Sequence, residues 1–508
     1  MSLELLTERH AAQIEGVLGC WDRMLIFGTL PGICFAGGMT SFLFERKIRI
    51  FDYPKFAEPF RGRIRENAER MAAEAGLEIE FVRKRNFRKE DRVKELLAKR
   101  GEQAAGLVCI FSAMEPCSTY KPWHNKQTGK TYLVPDDGKC LHYYFYFVDE
   151  DLGLCHVRVP TWLPCRLQIC FNGHNWLAGQ LRKLAIDYRM ADNAFAHIAD
   201  WQRAQRISNA WEAKRIHARL NELARRCCPI YRDFATGYHW SVDQCEYATD
   251  IVFRQQADLQ AIYGNLARTA IHTVKPDNIA TFLGRKLSTQ FEGEMGNRFN
   301  IRIEGTRIKH TMGPVSIKLY DKFGLILRIE TTVNDLTFFK HYREVEHRNG
   351  SKETKWASMQ KTIYSLPALR ELLEAANRRY LEFLSTIEDP RAGRKKLDKL
   401  SQTVEQEGRC YAGFNLFDPS DETLLCSIVR GEFNISGLQN KTLRRHLPEL
   451  NSGQVSRLLK RLRTHGLIKK VGRTYKYYVT SFGKDIVATA LKLRELVLIP
   501  QLAATHAL

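Results

Sequence analysis

Cleavage of a phosphodiester with the help of a divalent metal needs two or three carboxylates converging on an ion that keeps oxygen ligands. Two stretches of this chain offer acids for such a set, with Mg2+ as the implied ion. In the first, Glu115 follows an apolar run ending at Ala113, Asp22 precedes one beginning at Met24, and Asp149 or Asp151 lies at a turn. In the second, KLYDKFGLILRIETTVND (318–335), a tight turn near Phe323 and Gly324 joins two strands, so that Asp321, Glu330 and Asp335 approach one another. The structural alternative is plain in both: acids at strand ends form turns and caps, and hairpins carry charged outer residues. A looser thiol and imidazole set comprises Cys140, His142, Cys155, His156, Cys165, Cys170 and His174. No C-x-x-C pair accompanies it, and strand alternation reads the cysteines as small apolar core residues rather than zinc ligands. The chain has no glycine-rich phosphate or dinucleotide fingerprint, which disfavours ATP-driven and hydride-transfer chemistry.

Recognition chemistry is concentrated near the other end. In Ser452–Thr464 the apolar residues Val455, Leu458, Leu459 and Leu462 recur at helical spacing and form one inward stripe. The remaining face carries Gln454, Ser456, Arg457, Lys460, Arg461 and Arg463, side-chain types that contact guanine, adenine and phosphate when a helix enters a major groove. Asn451 or Ser452 is the expected N-cap and Gly466 the stop. Leu467–Lys470 and Tyr475–Thr480 should then form a hairpin whose basic tip, with Arg473 and Lys476, reaches phosphate. Preceded by helices at Ser420–Arg430 and Asn440–Leu447, the run SGQVSRLLKRLRTHGLIKKVGRTYKYYVTSFGKDI resembles the winged-helix module of bacterial regulators of the multiple-antibiotic-resistance type. That resemblance implies binding to duplex DNA. The same face also suits structured RNA, or protein contacts with its basic groups solvated.

The second acidic stretch is similar to a segment of the gene-II-type replication proteins of filamentous phages, which nick DNA through a tyrosine. The similarity casts Tyr320 as a nucleophile. Those nickases rely on closely spaced histidines for metal, and no His-x-His occurs here. The acids of the first stretch are placed like those of ribonuclease-H-type folds. The whole chain resembles a family of uncharacterised prokaryotic proteins of similar length that end in a winged helix, through EPC (115–117), HVRVPTW (156–162), NGHNWLA (172–178), KLYDK (318–322) and LRIETTVND (327–335). This resemblance implies extent and not mechanism.

A scaffold for these residues follows from length and periodicity. The 508 residues exceed what one core organises, and three or four units are expected. The predicted class is α+β multidomain. Residues 1–174 form an α/β domain: strand Met24–Leu30, helix Pro54–Ala75, strand Glu78–Arg83, helix Glu90–Lys99 and strand Gly106–Ala113. A β-meander at Cys140–Val148, Gly153–Pro160 and Pro164–Asn172 is added to it. Residues 175–236 form a helical connector, continuous in period from Asn175 to Cys228, and residues 237–388 a second α+β domain. Residues 389–419 are a charged linker and 420–508 the winged helix.

Lysine and arginine outnumber aspartate and glutamate by 78 to 57, a net charge of +21 that favours polyanions through counterion release. Met24–Phe44 is uncharged, but Gly28, Pro31, Gly32, Gly37 and Gly38 break it into strand, turn and helix, so no membrane span is expected. Glu4, Glu8, Glu15 and Asp22 replace the basic start and apolar run of a secretory leader, and thirteen irregularly spaced cysteines suit a reducing cytoplasm. The expected function is nucleic-acid binding, through the winged helix to duplex DNA or to structured RNA, in a protein of a mobile element. The alternatives are a Mg2+-dependent nuclease, nickase or transposase-like enzyme, and a transcriptional regulator.

Overall fold

The computed structural model describes residues 5–83, 86–101, 105–234, 237–285, 295–302, 305–347, 349–388, 398–415, 417–430, 433, 437–472 and 474–493. The chain divides into two compact units: Ala11–Leu259 with Arg302–Asn377, and Met1–His10 with Gln260–Ile301 and Arg378–Leu508. The described strands up to residue 358, in chain order, are β1 (Ile14–Thr29), β2 (Ile79–Phe81), β3 (Gly106–Asn125), β4 (Lys130–Asp149), β5 (Gly153–Pro160), β6 (Leu167–Asn172), β7 (Tyr188–Met190), β8 (Phe195–Ile198), β9 (His239–Phe253), β10 (Met295–Arg302), β11 (Gly305–Met312), β12 (Val315–Lys322), β13 (Ile326–Val333), β14 (Lys340–Glu346) and β15 (Lys352–Ser358).

The class is mixed α+β, and the first unit is built on one large sheet of order β11-β12-β13-β9-β1-β6-β5-β4-β3-β2. The β2–β3 pair is parallel, and the other described pairs of this sheet are antiparallel. The strands expected in two separate domains therefore share hydrogen bonds: β9 pairs with β1 on one edge and with β13 on the other. The reason lies in β1, which begins at Ile14 rather than Met24 and is largely buried. A buried strand must satisfy its backbone groups on both edges.

One face of the sheet carries Tyr143, Phe145 and Phe147 of β4, Val157 and Val159 of β5, and Ile169 of β6, all buried. Helices Tyr53–Glu74 and Ala213–Cys227 pack on the sheet, burying Ile64, Ala68 and Met71 and Ile216, Leu220 and Leu223 respectively. Removing each large apolar side chain from water contributes roughly 1.5–3 kcal/mol. The predicted continuous helical connector is interrupted. Helix Gly173–Lys183 is followed by the hairpin β7–β8 and then by helices Trp201–Asn209 and Ala213–Cys227. Ala185 and Asp192 adopt φ of 53° and 52°, left-handed turns that end a period the apolar spacing alone would continue. Met24–Phe44 is the end of β1, a turn and part of helix Ala36–Glu45; among the described residues no helix is long and apolar enough to cross a membrane.

In the other unit, Arg379 donates to the Phe282 carbonyl and the Leu6 N–H to Ser385. Helix Pro419–Ile428 is capped by Asp418, and helix Asn440–Leu443 continues as a tighter turn over Arg444–His446. Asn451 caps helix Ser452–Thr464 by accepting from the Gln454 N–H at 2.9 Å. Strands Ile468–Lys470 and Tyr477–Val479 then pair, with Leu438 bridging to Tyr477. Leu425, Leu443, Val455, Leu459, Leu462 and Ile468 share the core of these elements. Residues 389–397 of the predicted linker lie outside the described residues; its later part contains a short strand pair, Val404–Gln406 with Arg409–Tyr411.

Candidate active site

Side chains alternate across a strand, and on one face of β9, β12 and β13 the alternation selects charged residues. The pairings Thr332↔Glu246, Arg328↔Asp250, Lys318↔Glu330, Tyr320↔Arg328 and Lys322↔Ile326 set Glu246, Asp250, Lys318, Tyr320, Lys322, Arg328 and Glu330 side by side. Asp22 arrives by a different route. Between two pairings, β1 advances from Trp21 to Met24 while β9 advances only from Tyr247 to Cys245. The extra residue is a bulge, which re-aims the side chains beside it. Helix Gly173–Lys183 contributes His174. Its start lies so close to β1 that a Cβ on Gly173 would fall 2.2 Å from the Trp21 carbonyl oxygen. Its cap, Asn172, accepts from the His174 N–H and donates to Asp22.

Arg328, wholly buried, organises the interior of the cluster. It grips Asp250 with two bonds, Nε–Oδ1 at 2.6 Å and Nη2–Oδ2 at 2.7 Å, and donates through Nη1 to Asp22 Oδ2 at 2.8 Å. His174 lies between the same acids, Nδ1 3.4 Å from Asp22 and Nε2 3.3 Å from Asp250. Burial alone would raise both aspartates; Arg328 and His174 outweigh it and hold both carboxyls well below the usual range. Lys322 donates to Asn193. Burial first, and then Arg328, pushes its ammonium down to about 8.

Toward the end of the sheet where β13 finishes, Lys318 Nζ spans Glu246 at 3.0 Å and Glu330 at 2.5 Å. Burial would lower this lysine, but Glu330 and Glu246 keep its pKa above the ordinary value. Burial, followed by Glu330, raises Glu246. Tyr320 donates its phenol proton to Glu330 Oε2 at 2.6 Å, and burial together with Glu330 pushes the phenol well up. One oxygen each of Asp22, Glu246 and Glu330 lies within 4.8 Å of the others, the one such set of potential metal ligands among the described residues. An all-oxygen donor set suits a hard ion such as Mg2+ or Mn2+.

The predicted acids scatter. Asp22, expected just before a strand, lies inside β1, and Glu330 sits beside it in the cluster. Asp321 is adjacent in sequence to Tyr320, so alternation turns it to the opposite face, away from Glu330. Asp335 caps the turn Leu336–Phe338 by accepting from the Thr337 N–H. Glu115 lies on β3, six positions from β13 in the sheet order. There Tyr144 at 2.7 Å, Arg158 at 2.8 Å and Lys89 at 3.3 Å bind its carboxylate and, against burial, lower its pKa. Asp149 is held by Arg219 and caps the turn at Asp151–Leu152. Of the thiol and imidazole set, His174 belongs to the acidic cluster; Cys140 Sγ is 3.8 Å from His142 Nδ1, and Cys165 Sγ is 3.5 Å from Cys228 Sγ. Glu246, Asp250, Lys318, Lys322 and Arg328 were not picked out as site residues. Charge at every second residue of otherwise apolar strands was the available signal.

On helix Ser452–Thr464, Ser456, Arg457 and Arg463 are exposed, as is Lys476 beyond it. Gln454 closes the cap by accepting from the Asn451 N–H at 2.8 Å, and Lys460 lies 3.6 Å from Glu407. Arg461 turns inward, contrary to its expected place on the outer face. Its guanidinium binds Asp421 at 2.7 and 2.9 Å and the carbonyls of Ala412 and Gly413, and stacks 3.9 Å over Phe414. Arg473 lies outside the described residues. Compared with protein-family models, curated proteins and solved structures, the chain matches none.

Proposed function

We propose that this protein is a metal-dependent enzyme that breaks a phosphodiester of nucleic acid, with Tyr320 as nucleophile and Asp22, Glu246 and Glu330 as the metal-binding acids. One observation carries the reading: the Tyr320 phenol is hydrogen-bonded to a carboxylate of the same acidic trio, which sets a proton acceptor directly against the phenol. The phenol oxygen attacks phosphorus as its proton passes to Glu330, the bond from phosphorus to the sugar oxygen breaks as the phosphotyrosyl ester forms, and the departing sugar oxygen takes a proton from water. Asp22, Glu246 and Glu330 would hold a divalent ion, which would supply charge neutralisation for the phosphoryl oxygens. Lys318 and Lys322 flank Tyr320 two residues away on the same face, where cations stabilise a developing phosphorane and its leaving oxygen. The C-terminal helices and hairpin serve in this reading as a winged helix that holds duplex, with Arg457, Arg463 and Lys476 as its exposed contacts.

The test is incubation of the protein with supercoiled plasmid, single-stranded DNA and RNA in Mg2+, in Mn2+ and in EDTA, followed by denaturing electrophoresis. Cleavage with a protein-linked product, absent in EDTA and in Tyr320→Phe, is expected. Cleavage that persists in Tyr320→Phe would remove the tyrosine from the chemistry. No cleavage of any substrate in either metal would remove the enzyme.

A further inference from the structure

The same unusual arrangement occurs twice in the sheet unit. Beyond Glu115 and Cys140, β3 and β4 continue past the end of β5 as a two-stranded arm closing at Asn125 and Lys130. A second hairpin, β14–β15, follows β13 and leaves from the same end of the sheet, anchored where Val242 donates to Lys361 and Ser241 bridges Thr362. On the arm, Trp123 stands directly opposite Tyr132, with Lys121 and Lys130 two residues away on the same face. On the hairpin, Tyr342 stands directly opposite Trp356, with Lys340 two residues away; further along the same face Glu344 pairs with Lys352 at 3.1 Å and Glu346 stands opposite Lys352. Three of the four rings are wet, Trp123 at 53% exposed, Tyr342 at 63% and Trp356 at 69%, while Tyr132 is half-buried. Tyr342 and Trp356 lie with centroids 6.4 Å apart and their planes tilted by 58°.

Large aromatic rings held in water, as Trp123, Tyr342 and Trp356 are, gain little for folding. With Lys130 two residues from one pair and Lys340 two residues from the other, while Lys121 is held by Asp136 and Lys352 by Glu344, such rings suit a ligand that offers flat apolar faces for stacking on an anionic backbone, namely unpaired nucleotides. We propose that the outward faces of β3–β4 and β14–β15 are stacking platforms for unpaired bases on the strand that the acidic site acts on. The idea rests on the reading of that site. Glu330 is three residues from the end of β13, so the site lies toward the edge from which both hairpins depart.

The experiment uses the full chain, a labelled single-stranded oligonucleotide and a duplex of the same sequence. Tyr342→Ala with Trp356→Ala, and separately Trp123→Ala, should each weaken single-strand binding by roughly tenfold or more. Duplex affinity should hold, and Trp356→Phe should retain most of the binding. Unchanged single-strand affinity in both ring variants overturns the proposal. A change of sedimentation coefficient on removing the rings also overturns it, because the rings then belong to an interface between copies. Plasmid cleavage separates the two failures. If the wild type cleaves and the ring variants bind undiminished, the platforms fail and the site stands; if the wild type cleaves nothing but the variants lose single-strand binding, the site fails and the platforms stand.

Discussion

The Tyr320 hydroxyl lies 2.6 Å from Glu330 Oε2, and the other oxygen of that carboxylate is 2.5 Å from Lys318 Nζ. Glu330 thus couples the only proton Tyr320 has to give with a cation that shares the acidic trio. The phenol is held protonated by burial and by the carboxylate, so reactivity requires that charge on the trio be neutralised first. In the proposed reading a divalent ion on the trio would do this, making the dependence on metal a dependence of Tyr320 itself.

Lys318 stands between Glu246 and Glu330, two of the three acids proposed to hold metal, in the role a divalent ion would share. Lys318→Ala is therefore expected to tighten Mn2+ binding several-fold by leaving Glu246 and Glu330 uncompensated. Asp22→Asn and Glu246→Gln should weaken it. Isothermal titration with Mn2+ reads the ordering directly; weaker binding in Lys318→Ala than in wild type would place the ion elsewhere.

Arg328→Met leaves Asp22 and Asp250 charged, buried and without their main partner. Removal of one side of a buried ion pair costs about 3–5 kcal/mol. A large fall in melting temperature is expected, with partial recovery when Asp250→Asn is added. A melting temperature unchanged in Arg328→Met would contradict the assignment of Arg328 as the organiser of the cluster.

The pH dependence of stability follows from two kinds of group. Asp22 and Asp250 have carboxyl pKa values below those of the unfolded chain. Their contribution is full above the unfolded value of about 4 and is lost as pH falls below it toward the depressed values. Lys322 behaves in the opposite sense. Its folded value of about 8 lies below its ordinary 10.5, so between those values the unfolded chain binds more protons and stability rises with pH. Urea melts from pH 7 to 10 should show this rise in wild type and a smaller one in Lys322→Met. An equal rise in both assigns it to other groups.

Arg461 and its neighbours should separate cleanly. Arg461→Ala loses a bidentate carboxylate pair, two carbonyl bonds and a ring contact, and is expected to destabilise the C-terminal elements by about 2–3 kcal/mol. Arg457→Ala with Arg463→Ala should leave stability within about 0.5 kcal/mol. The latter pair should lower duplex affinity and flatten its salt dependence. A salt slope identical to that of wild type moves the duplex to another surface.

What sequence made legible differs between elements for physical reasons. Glu330 was readable as a candidate acid because it lies on a local hairpin, but the sequence grouped it with Asp321 and Asp335, which strand alternation and the following turn direct elsewhere, and Tyr320 entered only through the resemblance to phage nickases. Helix Ser452–Thr464 was readable because its stripe, cap and stop are all local. Arg461 was misplaced because its partner, Asp421, lies on another helix, and helical period alone cannot register a pull across the stripe's edge. Glu246, Asp250 and Arg328 were missed for a related reason. Their meaning depends on β9 pairing with both β1 and β13, and long-range strand order leaves no local mark. Even so, Arg328 and Glu330 two residues apart in a run as apolar as ILRIETTV were a sign of charge directed into a buried face. The bulge that turns Asp22 toward the site has no turn signal at all.

The most direct measurement of the central claim is mass spectrometry of the protein after reaction with single-stranded and supercoiled DNA in Mn2+. A peptide containing Tyr320 that carries a covalently attached nucleotide, and that disappears in Glu330→Gln, in Tyr320→Phe and in EDTA, is the predicted result. Cleaved DNA with unmodified Tyr320 at every time point, or attachment at a different residue, would contradict the account.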